Sequence, residues 1–269
     1  MRYLINVGCY CSKKWELCAG LLFAFATLNL SAGQRVEEKL EPYREYLEYW
    51  TFSGGGGEGF PKSRYHTFKA AFELIEKEGK VIVELGTSRS FTHGGHIGCN
   101  SDDLHYWMPD HPENWDWGAG FFTRMAAHAL SHRPIEIHTV DIASQHIKRC
   151  QWMTSDLQDK IHYHVASSVD FLTSSQFPDG IDLIYMDTGD MTPIEPTALL
   201  QLEEAKIIVQ RNLVADHGYI LIDDVKNQTP ALYGDTSGLG KSKYALPYLL
   251  ENGFEIVMDE YQVLLRKKE

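Results

Sequence analysis

The stretch Lys80–Phe91 reads KVIVELGTSRSF, and the rest of the chain can be organised around it. Val81, Ile82 and Val83 form a short apolar run rich in β-branched residues, the composition of a parallel strand buried on both faces. Glu84 and Leu85-Gly86-Thr87-Ser88 then end the run with an acid, a glycine and small hydroxyl residues. A glycine at the carboxyl end of a first strand lets the backbone come close to a ligand. An open α/β sheet binds its ligands at that end.

The pattern repeats downstream: an apolar strand, a polar residue that closes it, then a helix. Ile135–Val140 is closed by Asp141 and Ile181–Met186 by Asp187, while Gly218–Ile222 runs into Asp223-Asp224. Ile161–Val165 leads to Ser167 and Ser168, either of which is placed to cap a helix over Val169–Ser174. Helices are expected at Tyr65–Lys77, Gly118–Ser131, Thr197–Leu213 and Lys241–Asn252, the last stopped by Gly253. Phe254–Met258 and Tyr261–Arg266 are close enough to pair as a hairpin, so one edge of the sheet should be antiparallel. The fold expected is therefore α/β: a doubly wound, mostly parallel, Rossmann-like sheet with an antiparallel final strand.

Upstream, Leu17–Leu30 is the most apolar stretch, with Lys13 and Lys14 before it and Ser31-Ala32-Gly33 after it. It has the outline of a targeting or membrane-associated segment, and equally of an extension that packs on the domain. Gln34–Trp50 has helical spacing broken at Pro42, and the glycine run 53–59 is the best joint in the chain. The division expected is an apolar segment 1–33, a helical segment and joint 34–64, and a main domain 65–269. The region Thr92–Trp117 inserts tryptophans and histidines after the first strand and reads as an aromatic cap over the crevice.

A net charge of −12 argues against nucleic acid as a partner, because phosphate binding needs clustered Lys and Arg. None of the five cysteines has CxxC spacing, which suits a reduced, cytoplasmic protein; membrane association or export stays open if 1–33 acts as a signal or anchor.

Asp141, Asp187 and Asp223-Asp224 all close parallel strands, so they should converge on one rim although they are distant in sequence. Converging carboxylates need a cation or hydrogen-bond donors. Asp187, Asp223 and Asp224 offer hard oxygen ligands for Mg²⁺ or a similar ion, or else they cap a helix and border a solvated turn.

These residues resemble class I S-adenosylmethionine-dependent methyltransferases over roughly Tyr65–Arg266. Glu84–Ser88 is similar to that family's first motif, Asp141 to its ribose-binding acid and Ile181–Asp187 to its strand-four motif. The trio of acids is similar to that of the cation-dependent O-methyltransferase subgroup. The resemblance implies a cofactor pocket of Glu84, Gly86, Thr87, Ser88, Asp141, Ser167, Ser168 and Asp187. It also implies a divalent ion on Asp187, Asp223 and Asp224. The catechol-type enzymes carry a lysine three residues after the strand-four aspartate; here that position is Asp190. His93 and Asp190 are thus the candidates for general base. The implied substrate is the hydroxyl of a small molecule or saccharide, and a homo-oligomer is compatible with all of this. The rival functions are a nicotinamide-dependent oxidoreductase, disfavoured by the missing GxGxxG, and a non-catalytic ligand-binding protein on the same fold.

Overall fold

The computed structural model describes residues 32–44, 47, 64–87, 121–191, 193–225 and 237–269. Seven strands form one sheet: β1 Val81–Leu85, β2 Glu136–Asp141, β3 Ile161–Val165, β4 Ile181–Met186, β5 Val214–Ile222, β6 Phe254–Asp259 and β7 Val263–Lys267. Their order is β3-β2-β1-β4-β5-β7-β6. The first five are mutually parallel, and the β6–β7 hairpin is antiparallel, with β7 slotted between β5 and β6. This is the doubly wound architecture expected from the strand and closing-residue pattern.

The helices are α1 Ala32–Leu40, α2 Tyr65–Glu78, α3 Phe122–Ala129, α4 Ser144–Met153, α5 Ser168–Ser174, α6 Ile194–Gln210 and α7 Ala245–Glu251. Alternation along each strand divides the core in two. On one face Ile82, Ile137, Leu183 and Leu221 pack under α1–α4. On the other, Val83, Leu85, Val140, Ile184 and Ile220 pack under α5–α7. Ile82, Val83 and Leu85 are wholly buried, each contributing on the order of 1.5–3 kcal/mol of transfer free energy.

Beneath the first face, Phe68, Phe72, Phe122 and Tyr185 form an aromatic stack, closest between Phe122 and Tyr185 at 4.3 Å. At α1, Pro42 does end the regular helix, and Glu41–Tyr43 continues as one 3₁₀ turn. Glu76 of α2 is buried against Arg35 at 3.0 Å and His132 at 2.7 Å, which fastens α1 to the domain.

Among the described residues no helix is long and apolar enough to cross a membrane. The apolar segment 17–30, the glycine joint 53–59 and the cap 92–117 lie outside the described residues, as do Ser88 and His93.

Candidate active site

The parallel ladder is continued past the last residue of each strand, and this gathers the acids. The Gly86 amide donates to Val140 O at 2.9 Å, the Asp187 amide to Leu85 O at 2.9 Å, and the Asp223 amide to Met186 O at 3.1 Å. Four strand ends are thereby zipped side by side, and Asp141, Gly86, Asp187 and Asp223 follow one another along a single rim. Gly86 has φ +89°, and a Cβ there would lie 2.6 Å from Asp187 O. The glycine is therefore required by the close approach of the β1 and β4 ends, which forms the floor of the crevice.

Glu84 is 1% exposed and accepts hydrogen bonds from Thr139 of β2, at 2.6 Å, and from Thr123 of α3. Burial pushes its carboxyl up to about 8, against the two hydroxyl donors, so at neutral pH it is largely a neutral acid. Thr87 is buried and bridges to Thr139 at 2.6 Å.

Asp141 braces the rim itself. Its Oδ2 accepts the Thr87 amide at 3.0 Å, and its Oδ1 accepts the Ala143 amide at 2.8 Å and faces His146 Nδ1 at 3.0 Å. Among the described residues Oδ2 has one donor, and it keeps acceptor capacity for a ligand hydroxyl. Beside it Ile142 is 76% exposed, an apolar side chain on the rim that the strand pattern gave no reason to single out.

The two serines part company. Ser167 caps α5 by accepting the Asp170 amide at 3.0 Å, the structural alternative named for it. Ser168 is buried, and its hydroxyl donates to Glu204 in the interior of α6, so that hydroxyl is committed away from the crevice. Asp190 is exposed, and its backbone oxygen accepts Thr197 Oγ1 at 2.8 Å.

Asp187, Asp223 and Asp224 do converge, with one oxygen of each within 4.8 Å of the others. Two basic residues that the sequence reading did not single out meet them there. Lys241, with its side chain 2% exposed, places Nζ 2.6 Å from Asp187 Oδ1 and 3.1 Å from Asp224 Oδ2. Arg64 precedes α2 and clamps Asp223 from Nε at 3.0 Å and Nη2 at 2.8 Å. Gln262 Nε2 adds a bond to Asp223 Oδ1 at 3.1 Å, and the Tyr261 hydroxyl donates to Asp224 Oδ1.

Gly240, at φ +56°, lets the turn before Lys241 press so closely on Asp224 that a Cβ would lie 1.9 Å from Asp224 O. Burial pulls the Lys241 ammonium down, but the carboxylates of Asp187, Asp224 and Asp223 outweigh it, and the group stays above the ordinary lysine range. Lys241 is thus a fixed cation. Burial likewise pushes the Asp187 carboxyl up, to about 7, with Asp223 and Asp224 adding to the rise and Lys241 opposing it.

This arrangement does not fit a divalent ion. Five of the six carboxylate oxygens are engaged by protein donors within 3.1 Å. An ion of the Mg²⁺ class needs several of them at roughly 2.0–2.6 Å, in the place that the Lys241 ammonium takes. Among the described residues the remaining oxygen, Asp187 Oδ2, has only the Tyr185 hydroxyl at 3.5 Å, and the side chain is 23% exposed.

No protein-family model matches the sequence, and no curated protein is similar to it. Solved structures do share the fold. Methyltransferase PaMTH1 of Podospora anserina, crystallised with S-adenosylhomocysteine (SAH), superposes with a TM-score of 0.51 at 13% identity, over 99% of this chain and 100% of that one. A Staphylococcus aureus protein provisionally assigned as a caffeoyl-CoA O-methyltransferase superposes with a TM-score of 0.50 at 11% identity, over 93% of this chain and 98% of that one. The fold is that of the class I methyltransferases.

Proposed function

We propose that the protein is an S-adenosylmethionine-dependent O-methyltransferase that acts on a hydroxyl of a small molecule or saccharide. The observation that carries this is the rim itself. A glycine floor, a ribose-competent acid at Asp141 and an acceptor oxygen at Asp187 Oδ2 follow one another along adjacent strand ends.

The donor set suits the cofactor. Asp141 Oδ2 has capacity for a ribose hydroxyl, and Ile142 offers an apolar face for a base. Glu84, Gly86 and Thr87 border the crevice on the β1 side, with Ser167 and the main chain of Ser168 at the end of β3. When bound, S-adenosylmethionine supplies an electrophilic methyl group on a sulfonium.

The chain's own part is alignment and proton management. Lys241 holds Asp187 Oδ1, so the carboxylate presents Oδ2 to the acceptor. The proton lost by the acceptor hydroxyl would pass to Asp187 Oδ2, while the sulfonium, giving up its methyl to the hydroxyl oxygen, would leave as the neutral thioether. Burial lifts this carboxyl above the ordinary carboxylate range, the direction that proton acceptance at neutral pH requires. When fully ionised, the three acids carry one negative charge more than Lys241 and Arg64 offset, a balance that favours a cationic cofactor. Asp190 and His93 take no step in this scheme, and neither does a divalent ion.

Isothermal titration with SAH and with NADH tests the assignment. SAH should bind with micromolar or better affinity; binding of NADH alone would replace the methyltransferase by an oxidoreductase.

A further inference from the structure

A second cluster of ionisable side chains lies on the same sheet and plays no part in the chemistry above. Alternation puts Glu136 and His138 of β2 on the α5 face, and parallel register sets His138 beside His162 of the edge strand β3. Two residues along, His164 joins them. The rings are nearly parallel: His138 and His162 lie 4.7 Å apart at 19°, and His138 and His164 lie 5.3 Å apart at 13°. One ligand atom from each of Glu136, His138 and His162 falls within 4.8 Å of the other two.

We propose that Glu136, His138 and His162 form a binding site for a transition-metal ion of the zinc class, separate from the catalytic rim. Two imidazole nitrogens and one carboxylate oxygen are borderline donors that such ions take, with water completing the shell. His138 Nδ1 is 3.1 Å from His164 Nε2. With His138 Nδ1–H as donor, the Nε2 lone pair is left on the side of Glu136, whose Oε2 is 4.0 Å away. His164 then fixes the tautomer and ring of a ligand histidine, the outer-shell partner that metal-bound imidazoles require. Phe171 and Phe177 pack against His138 from behind and limit its rotation.

A tetrahedral shell at about 2.05 Å has ligand atoms about 3.3 Å apart. Closing the cluster that far needs movement of Glu136 and His162, and both are exposed.

The test is titration of the full chain with Co²⁺, read by its visible ligand-field bands, and with Zn²⁺ by calorimetry. One ion per chain is expected, and His162→Ala and Glu136→Gln should each weaken binding at least tenfold. Both residues are exposed, so neither variant threatens folding, and Asp187→Asn is the control for the rim. Absence of binding overturns the proposal. So does binding that both surface variants leave unchanged, or that Asp187→Asn removes.

Discussion

The two clusters on this sheet solve opposite electrostatic problems. At the rim, Asp187, Asp223 and Asp224 are brought together by topology, and Arg64 and Lys241 come from 159 and 54 residues away to neutralise them. At the β2–β3 edge partial burial holds His138 and His164 below the ordinary imidazole range, and among the described residues Glu136 is paired only with His138. A convergence of carboxylates is therefore poor evidence for a metal when lysine or arginine can reach it. An imidazole nitrogen with no hydrogen bond among the described residues is better evidence, because its lone pair is left for an ion. The difference lies in the source of the countercharge.

Removing the internal cation should break this contrast most sharply. Lys241→Met leaves three clustered carboxylates with Arg64 as their one cation among the described residues, and loss of one partner from a buried ion pair typically costs about 3–5 kcal/mol. We expect the urea midpoint to fall accordingly. Millimolar Mn²⁺ should restore part of the loss in Lys241→Met and do nothing for the wild type. EDTA should leave wild-type activity intact. Stabilisation of the wild type by Mn²⁺, together with loss of activity in EDTA, would give the rim to a metal and erase the distinction.

Two further substitutions separate proton transfer from cofactor binding along the same rim. Asp187→Asn removes the proposed proton acceptor but keeps the shape, so turnover should drop by about 10²–10⁴-fold while SAH affinity changes little. Asp141→Ala should do the reverse in kind, lowering SAH affinity roughly tenfold through one lost hydrogen bond to a charged group and a loosened Thr87–Ala143 turn. Calorimetry and steady-state kinetics on both variants distinguish these outcomes. Equal effects of the two on affinity would mean that Asp187 is a cofactor ligand only.

Much of the scaffold was legible because parallel strands have a strong local signature. Ile161–Val165 and Ile181–Met186 stand where the apolar runs placed them, and Asp141 closes β2 as expected. Helix α4 was not singled out. Its buried residues Ile147, Cys150 and Met153 are spaced by three among polar neighbours, a stripe too narrow to stand out. Strand β5 begins at Val214, four residues before the expected start, because the exposed pair Asp216-His217 interrupts its alternation and His217 has φ +63°.

The site was half legible. Strand ends predict where acids gather, since the direction of a parallel strand is a local property. Nothing local marks Lys241 in a Gly-Lys-Ser turn, or Arg64 ahead of a helix, as countercharges. Their roles exist only through contacts with residues that lie beyond any local pattern, on other strand ends.

The smallest effect expected is also one in which buried carboxyls and a buried imidazole pull in opposite directions. Glu204, wholly buried beneath the rim, accepts from Thr188 at 3.0 Å and from Ser168, and burial pushes its carboxyl up to about 7. A raised carboxyl binds its proton more tightly in the folded chain. Its contribution is complete below the unfolded value near 4.5 and is lost as pH rises through about 7. Glu84 acts in the same sense up to about 8. His138, held near 4, does the opposite: its contribution is complete above the unfolded value of 6.5 and is lost as pH falls through about 4. Glu204→Gln keeps an acceptor oxygen for one hydroxyl and offers its amide N–H₂ to the oxygen of the other, but cannot ionise, so its stability should fall less than that of the wild type between pH 5 and pH 8. Chemical denaturation across that range measures the difference. An unchanged slope would mean that Glu204 is ionised in the folded protein and that the Lys241 cation neutralises it as well, which would extend the rim's internal compensation one layer deeper into the core.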